Sequence, residues 1–476
     1  MTTEREYREW QAKRKKYQRQ HNSNFSPLLI LGIIFISGWY TWKHHPQEIN
    51  NFLARILPPQ LPFPQPNNPN ANIGIKSNAD IKIGSELPNM NYDKIDKVAA
   101  SIKYNGTSVT ELASILSQLA NSEVEKARII YAWLAHNITY DVQGYLTGNY
   151  GDLSPLGVLK SRKGVCSGYA NLYQALAQEM GLEAVIIDGY AKGASYILGE
   201  KTQVNHAWNG VKINDAWYLV DATWGAGYVN GGQFYQAFNP HYFATAPQEF
   251  IYDHLPSKTT WQLLAQPYSK EQFELLPNLS PQFFNQGMKF ISHNKHTITA
   301  KDGQVEIILQ AHPDTIVASA LQLGGQKLPE TYTFEQQQNG QIFIKATFPA
   351  PGNYELQIYA KNKHESGSYP HAVTYKIIAD AAGKEFPKIY TNFTENNANL
   401  QAPLTKKLPS NQSVYFQLNV PKALEVQVID QTSNKWTKLT RSGNQFSGNA
   451  FVGSGKVQVT AKFPGDEKYW TVVEYN

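Results

Sequence analysis

Cysteine is almost absent: Cys166 is the only one in 476 residues. No disulfide can form within the chain, so its stability must come from packing. Charged residues are also few, 17% in all, and the small basic excess of +5 is unevenly placed. Residues 1–24 carry seven basic side chains (Arg5, Arg8, Lys13, Arg14, Lys15, Lys16, Arg19) against Glu4, Glu6 and Glu9, a net +4 that leaves +1 for all the rest. The alkaline character belongs to a short tail and gives no argument for a nucleic-acid partner. What remains is ordinary globular composition, 42% hydrophobic and rich in aromatics. This length exceeds one core, so two to four domains are expected.

The basic tail leads into "FSPLLILGIIFISGWYTW", residues 25–42, which hold no charge and end in Trp39, Tyr40 and Trp42. Eighteen residues of helix reach about 27 Å, enough for a hydrocarbon core, and such rings settle at its interface. A cleaved signal peptide would have a shorter apolar run and a small-x-small cleavage site. Here "SGWYTWKHHPQ" puts bulky rings in that place. A transmembrane signal anchor is the reading taken, with a cleaved signal and a buried core helix as alternatives. The cations before it place residues 1–24 in the cytoplasm and the bulk of the chain outside. Residues 43–90 are Pro- and Asn-rich, as in "PPQLPFPQPNNPNANIG" (58–74), and read as an extended, semi-rigid linker.

A folded domain is expected over 91–265. "SVTELASILSQLA" (108–120) has helical spacing, and "SEVEKARIIYAWLAHNITYD" (122–141) predicts a stronger helix opened by a capping box of Ser122 and Glu125. In "GVCSGYANLYQALAQEMG" (164–181), Leu172, Leu176 and Met180 share one face, and Gly181 stands where a C′ glycine belongs. Cys166 therefore lies in a helix's first turn, where unpaired N–H groups and the positive dipole end stabilise a thiolate. A small buried hydrophobe is the competing reading.

Residues further along decide between them. "NHAWNGVKINDAWYLVDATWG" (205–225) predicts two strands joined at Asn214-Asp215. Counting outward from that turn sets Ile213 against Ala216, Trp208 against Asp221 and His206 against Thr223. Period-two alternation then puts His206, Trp208, Asp221 and Thr223 on one face. His206 and Asp221 become diagonal neighbours, within reach of an imidazole–carboxylate bond. A nucleophilic thiol needs a base, and the base needs an orienting group.

"GVCSGYANL", "NHAWNGVKI" and "WYLVDATWG" resemble the three blocks of the transglutaminase-like superfamily, in papain-like order Cys, His, Asp. "NPHYFATAPQEFIYDHLP" (239–256) resembles its kyphoscoliosis-peptidase-like branch. The resemblance implies an α+β papain-like core with Cys166 as nucleophile, His206 as general base and Asp221 as third member. It matches Tyr140 loosely to an aromatic of the oxyanion site. Trp208 and Trp224 flank the matched positions and could wall an acyl-binding groove, though aromatic packing explains them equally well. His254 reads as structural, because no ligand partner stands at metal spacing. No cofactor and no metal are expected.

Beyond residue 281, short alternating runs such as "QIFIKATF" and "KVQVTAKF" are separated by turn signals. They predict two all-β, immunoglobulin-like sandwiches at 281–380 and 385–476. "APGNYELQIYAK" (350–361) and "GSGKVQVTAKF" (453–463) read as the same closing strand about 100 residues apart. Two functions stay open. One is a membrane-anchored, extracytoplasmic thiol acyltransferase or peptidase, acting on protein or cell-wall peptides and passing a thioester to an amine or to water. The other is a catalytically idle binding or scaffold module of the same fold.

Overall fold

Helix α1 covers Asp93–Ser101, α2 Val109–Ser117 and α3 Glu123–Asn137 in a computed structural model that describes residues 82–84, 87, 91–193, 196 and 203–476. The expected membrane segment (25–42), the basic tail and nearly all of the linker lie outside those residues. Among the described residues, no helix is long and apolar enough to cross a membrane.

Helix α3 departs from a one-sided amphipathic pattern. Ala127 to Ala135 are all buried, so this helix runs through the middle of the domain. Its start also differs from a full capping box. Ser122 Oγ accepts from Glu125 N at 3.2 Å, while Glu125 reaches past Ser122 to accept from Asn121 N at 2.6 Å. The fully buried cation of α3, Arg128, is 2% exposed and makes a fork-to-fork pair with Asp96 of α1, both contacts 2.7 Å. The rings of Tyr92 and Phe243 lie 4.8 and 4.9 Å from its guanidinium carbon. Two geometric hydrogen bonds and aromatic faces are what make a buried guanidinium tolerable.

Short β1 (Thr139–Tyr140) and β2 (Lys163–Gly164) pair in parallel, Tyr140 opposite Gly164. Helices α4 (Val142–Thr147) and α5 (Pro155–Ser161) lie between them. Helix α6 then runs Cys166–Glu179, and Gly181 takes a positive φ of 80° just beyond it. Five antiparallel strands cover α6: β3 (Ala184–Ala191), β4 (His206–Ile213), β5 (Ala216–Val220), β8 (Phe243–Thr245) and β9 (His254–Pro256), in the order β8-β5-β4-β3-β9. Between β5 and β8 a hairpin, β6 (Gly227–Asn230) and β7 (Gln233–Gln236), stands apart from that sheet. A buried amide ties helix to sheet: Asn209 Nδ2 donates to Ala170 O and Val185 O, at 3.1 and 3.2 Å.

The β4–β5 turn falls on Asn214 and Asp215, at φ values of 48° and 65°. Both centres are left-handed, as a two-residue hairpin turn requires. Pairing follows the expected register from Ile213↔Ala216 to Asn209↔Val220 and then stops. The expectation of a strand through Trp224 is therefore corrected. Asp221 is the N-cap of a short helix, α7 (Ala222–Ala226), and accepts from Thr223 N and Trp224 N at 2.8 and 3.1 Å. A side chain that bonds the next backbone N–H groups competes with the ladder and ends it.

After α8 (Pro247–Phe250), α9 (Lys270–Leu275) and α10 (Pro281–Asn285), the chain becomes all β. Two sandwiches follow with the same wiring. In the first, Gly352–Asn362 pairs with Thr315–Leu323 and His371–Ala379; in the second, Val457–Lys462 pairs with Glu425–Asp430 and Trp470–Tyr475. The two similar runs thus occupy equivalent places, although each is followed by one more strand and so does not close its sandwich. Phe334 of the first sandwich lies in the core of the second, 5.7 Å from the ring of Phe386, which couples the pair.

Candidate active site

Cys166 is the first residue of α6 and is 3% exposed. Val165, extended at the N-cap, supplies no side-chain cap. Gly168 N already donates to Val165 O at 2.8 Å, so the backbone N–H of Cys166, at the very start of the helix, is the one placed to receive a charged oxygen beside the sulfur. The β1–β2 pairing places Tyr140 next to this turn. Burial, and then the nearby Cys166, push its phenol well above the usual range, so it remains an O–H donor.

His206 opens β4 and is 6% exposed. Its Nε2 lies 2.6 Å from Asp221 Oδ2, and Cys166 is near enough to act on its charge. With Nε2 engaged, Nδ1 is the nitrogen left to serve the sulfur. Burial by itself disfavours the imidazolium. Asp221 and Cys166 outweigh it and lift His206 to about 10. For Asp221, which is wholly buried, desolvation would raise the carboxyl, but His206 and His254 hold it well below the usual carboxylate range. Cys166, His206 and Asp221, which arrive from three separate sequence blocks, thus form one continuous line.

His254 belongs to that line too, although its sequence context singled out only a structural role. It opens β9 beside the end of β3, with Ala191↔His254 in register. Its Nε2 is 3.1 Å from the same Asp221 Oδ2, and its Nδ1 is 2.6 Å from Asp253 Oδ1. The adjacent acid and histidine in "YDHLP" were the available signal; the fold that brings them behind Asp221 was not legible. Close packing of β3 and β9 depends on Gly189, where a Cβ would meet Leu255 O at 2.3 Å. His206, Asp221 and His254 present ligand-type atoms within 4.8 Å of one another. Those atoms are spaced as hydrogen bonds, and a cation could enter only by displacing the ring protons between them.

The line opens into a groove of about 620 Å³ lined by His206, Tyr140, Trp224, Phe234 and Tyr242, with Lys192 at one side. Trp224 sits 5.6 Å from the His206 ring. Trp208 does not line the groove: it is 1% exposed and packs behind His206 and against Phe250 and His254. The β6–β7 hairpin forms one bank, where Tyr228 and Tyr235 stack at 5.5 Å. Ser280, Pro281, Gln282 and Asn285, at the entry to the first sandwich, form part of the opposite wall. They are fixed by stacking of Phe284 on His241 at 5.6 Å and by Lys192 Nζ donating to Leu276 O at 2.8 Å. Among the described lining residues there is no carboxylate.

Two family models match this chain: the transglutaminase-like superfamily over residues 110–222 and the KY-like, immunoglobulin-like domain over residues 270–390. Kyphoscoliosis peptidase of Mus musculus is 32% identical over 58% of this chain and 41% of its own length. The Homo sapiens protein of that name is 30% identical over 62% of this chain and 44% of its own. Lim and transglutaminase domain protein ltd-1 of Caenorhabditis elegans is 30% identical over 47% of this chain and 33% of its own. The chain spans less than half the length of these curated relatives. A transglutaminase-like domain followed by a KY-like immunoglobulin-like domain places this chain in the kyphoscoliosis-peptidase-like branch of the transglutaminase-like superfamily.

Proposed function

We propose that residues 91–265 form a thiol acyl-transfer enzyme that opens amide bonds through a thioester and passes the acyl group to water. The line Cys166–His206–Asp221, in which Asp221 holds the His206 ring at 2.6 Å beside the sulfur and a groove, carries this reading. Cys166 Sγ attacks the amide carbonyl, and the backbone N–H of Cys166 and Tyr140 Oη receive the oxyanion. His206 gives its proton to the leaving amine as the C–N bond breaks. Water then attacks the thioester, His206 takes one of its protons, and the carboxylic acid leaves as the thiol is restored. Asp221 orients the imidazole throughout.

Water rather than an amine is taken as the acceptor. Two of the similar proteins carry the word peptidase in their names, in keeping with hydrolysis. One observation favours a scaffold instead: Cys166 is 3% exposed. Other matching proteins are named cytokinesis protein 3. The decisive experiment incubates the full chain with a peptide-amide library, quenches in acid and reads acyl adducts on Cys166 by mass spectrometry. An adduct that decays to free acid, even with excess primary amine present, is expected. Amine incorporation exceeding hydrolysis would reassign the acceptor. Absence of any adduct across the library would leave the scaffold reading.

Residues 25–42 are proposed as the membrane anchor that presents this domain to protein or cell-wall peptides outside the cell. Protease added to intact cells should then remove the bulk of the chain and spare residues 1–24. Digestion only after lysis would remove the anchor from the proposal.

A further inference from the structure

His254 is 0% exposed, and each of its ring nitrogens faces a carboxylate oxygen. An ionised carboxylate only accepts, so both nitrogens must carry hydrogen and the ring must be an imidazolium. The arrangement is a buried alternation of charge: Asp253, His254, Asp221, His206. Asp221 is saturated by it. Oδ2 accepts from both histidines, and Oδ1 from Thr223 N and Trp224 N. Asp253 is secured in turn by Tyr242 Oη, which donates to its Oδ2 at 3.2 Å. Phe250 stacks on the His254 ring at 4.1 Å, and Trp224 and Trp208 close two more sides at 4.4 and 5.0 Å. The His206 ring is 5.3 Å away.

We propose that His254 is a positioning residue: a buried cation, held by Asp253, that fixes Asp221 on His206 and offsets part of its charge, so setting the pH range in which Cys166 and His206 react. The inference rests on the thiol-enzyme reading above. A carboxylate with no such cation behind it would bind the His206 proton more tightly and oppose negative charge on the sulfur. His254 thereby keeps the base able to release its proton. Among the titratable groups around it, Asp253 and Asp221 are acidic, His206, His241 and Lys192 are basic, and Tyr242 is a neutral donor. Among the described residues, only the two carboxylates bond the ring nitrogens.

The test is the rate of Cys166 alkylation by iodoacetamide in the full chain as a function of pH. It needs no knowledge of the substrate. Wild type should show one limb from the sulfur and a basic limb where His206 loses its proton. Loss of one cation 5.3 Å from the His206 ring should move the His206 limb upward by roughly one pH unit in His254→Gln, and the Cys166 limb the same way by less. Asp253→Asn, which keeps size and leaves the ring in place, removes the carboxylate that most favours the His254 proton, so the ring turns neutral and the limbs should move the same way by less. It also serves if His254→Gln fails to fold by circular dichroism. Unmoved limbs in a folded variant, with or without a lower plateau, would reduce His254 to packing and overturn the proposal, as would a downward shift. A wild-type profile with only the free-thiol limb would instead overturn the enzyme reading.

Discussion

His206 and Asp221 meet at 2.6 Å although the ladder between their strands has already ended, three pairs short of His206. Their contact is made by an N-capping carboxylate that serves two purposes at once. Asp221→Asn retains a capping oxygen, so α7 should survive, but the amide can hold the wrong imidazole tautomer. The comparable change in a serine-protease triad costs about 10⁴-fold. A smaller loss is expected here, more than about tenfold, because the thiol–imidazole pair needs less help from a base. Turnover alongside circular dichroism checks it; full activity in the folded variant would mean that Asp221 does not orient His206.

Opposed titrations should make the wild-type stability profile shallow. His206 is raised from 6.5 to about 10, so its contribution is full below 6.5 and is lost as pH rises through 10. His254, raised chiefly by Asp253 against the cost of burial, acts in the same direction. Burial lowers Lys192 from 10.5 to about 7, which imposes a penalty that is full below 7 and gone above 10.5. The two slopes have opposite sign over almost the same window. Lys192→Met removes the rising one, so its stability should decline from pH 6.5 to 10 more steeply than that of wild type. Thermal melts at three pH values decide this; parallel profiles would contradict it.

The Arg128–Asp96 pair should be costly to break from the acidic side. Asp96→Ala leaves a guanidinium that is 2% exposed with ring faces but no carboxylate. A loss of about 3–5 kcal/mol is expected for an orphaned buried charge. Denaturant unfolding followed by tryptophan fluorescence reads it, and a loss below about 1 kcal/mol would show that the rings alone suffice.

Trp224 and Trp208 should separate function from stability. Trp224→Ala widens the groove and should raise KM more than it lowers kcat. Trp208→Ala empties a site that is 1% exposed and should cost about 3–5 kcal/mol of stability. Steady-state kinetics and melts on both variants test the division; equal effects on KM would erase it.

Local signals reached the site unevenly. The hairpin register was legible because Asn214-Asp215 dictates a two-residue turn, and counting from it is exact until something interrupts the ladder. Asp221 interrupted it, through a cap whose strength depends on the helix that follows. Cys166 was legible from the glycine break and the spacing of Leu172, Leu176 and Met180. His254 was not, since its position behind Asp221 arises from β9 joining β3 after a separation of 33 residues from Asp221. Arg128 was hidden for a related reason: a helix in the middle of a domain loses the polar face that marks amphipathic helices.

The groove wall at Ser280–Asn285 has a mechanical consequence. It belongs to the root of the two coupled sandwiches, whereas Cys166 belongs to the helical domain. The width of the cleft is therefore set by a joint, held by His241 against Phe284 and by Lys192 on the Leu276 carbonyl. Any shift in how the first sandwich seats on the helical domain would therefore change the width of the cleft beside His206.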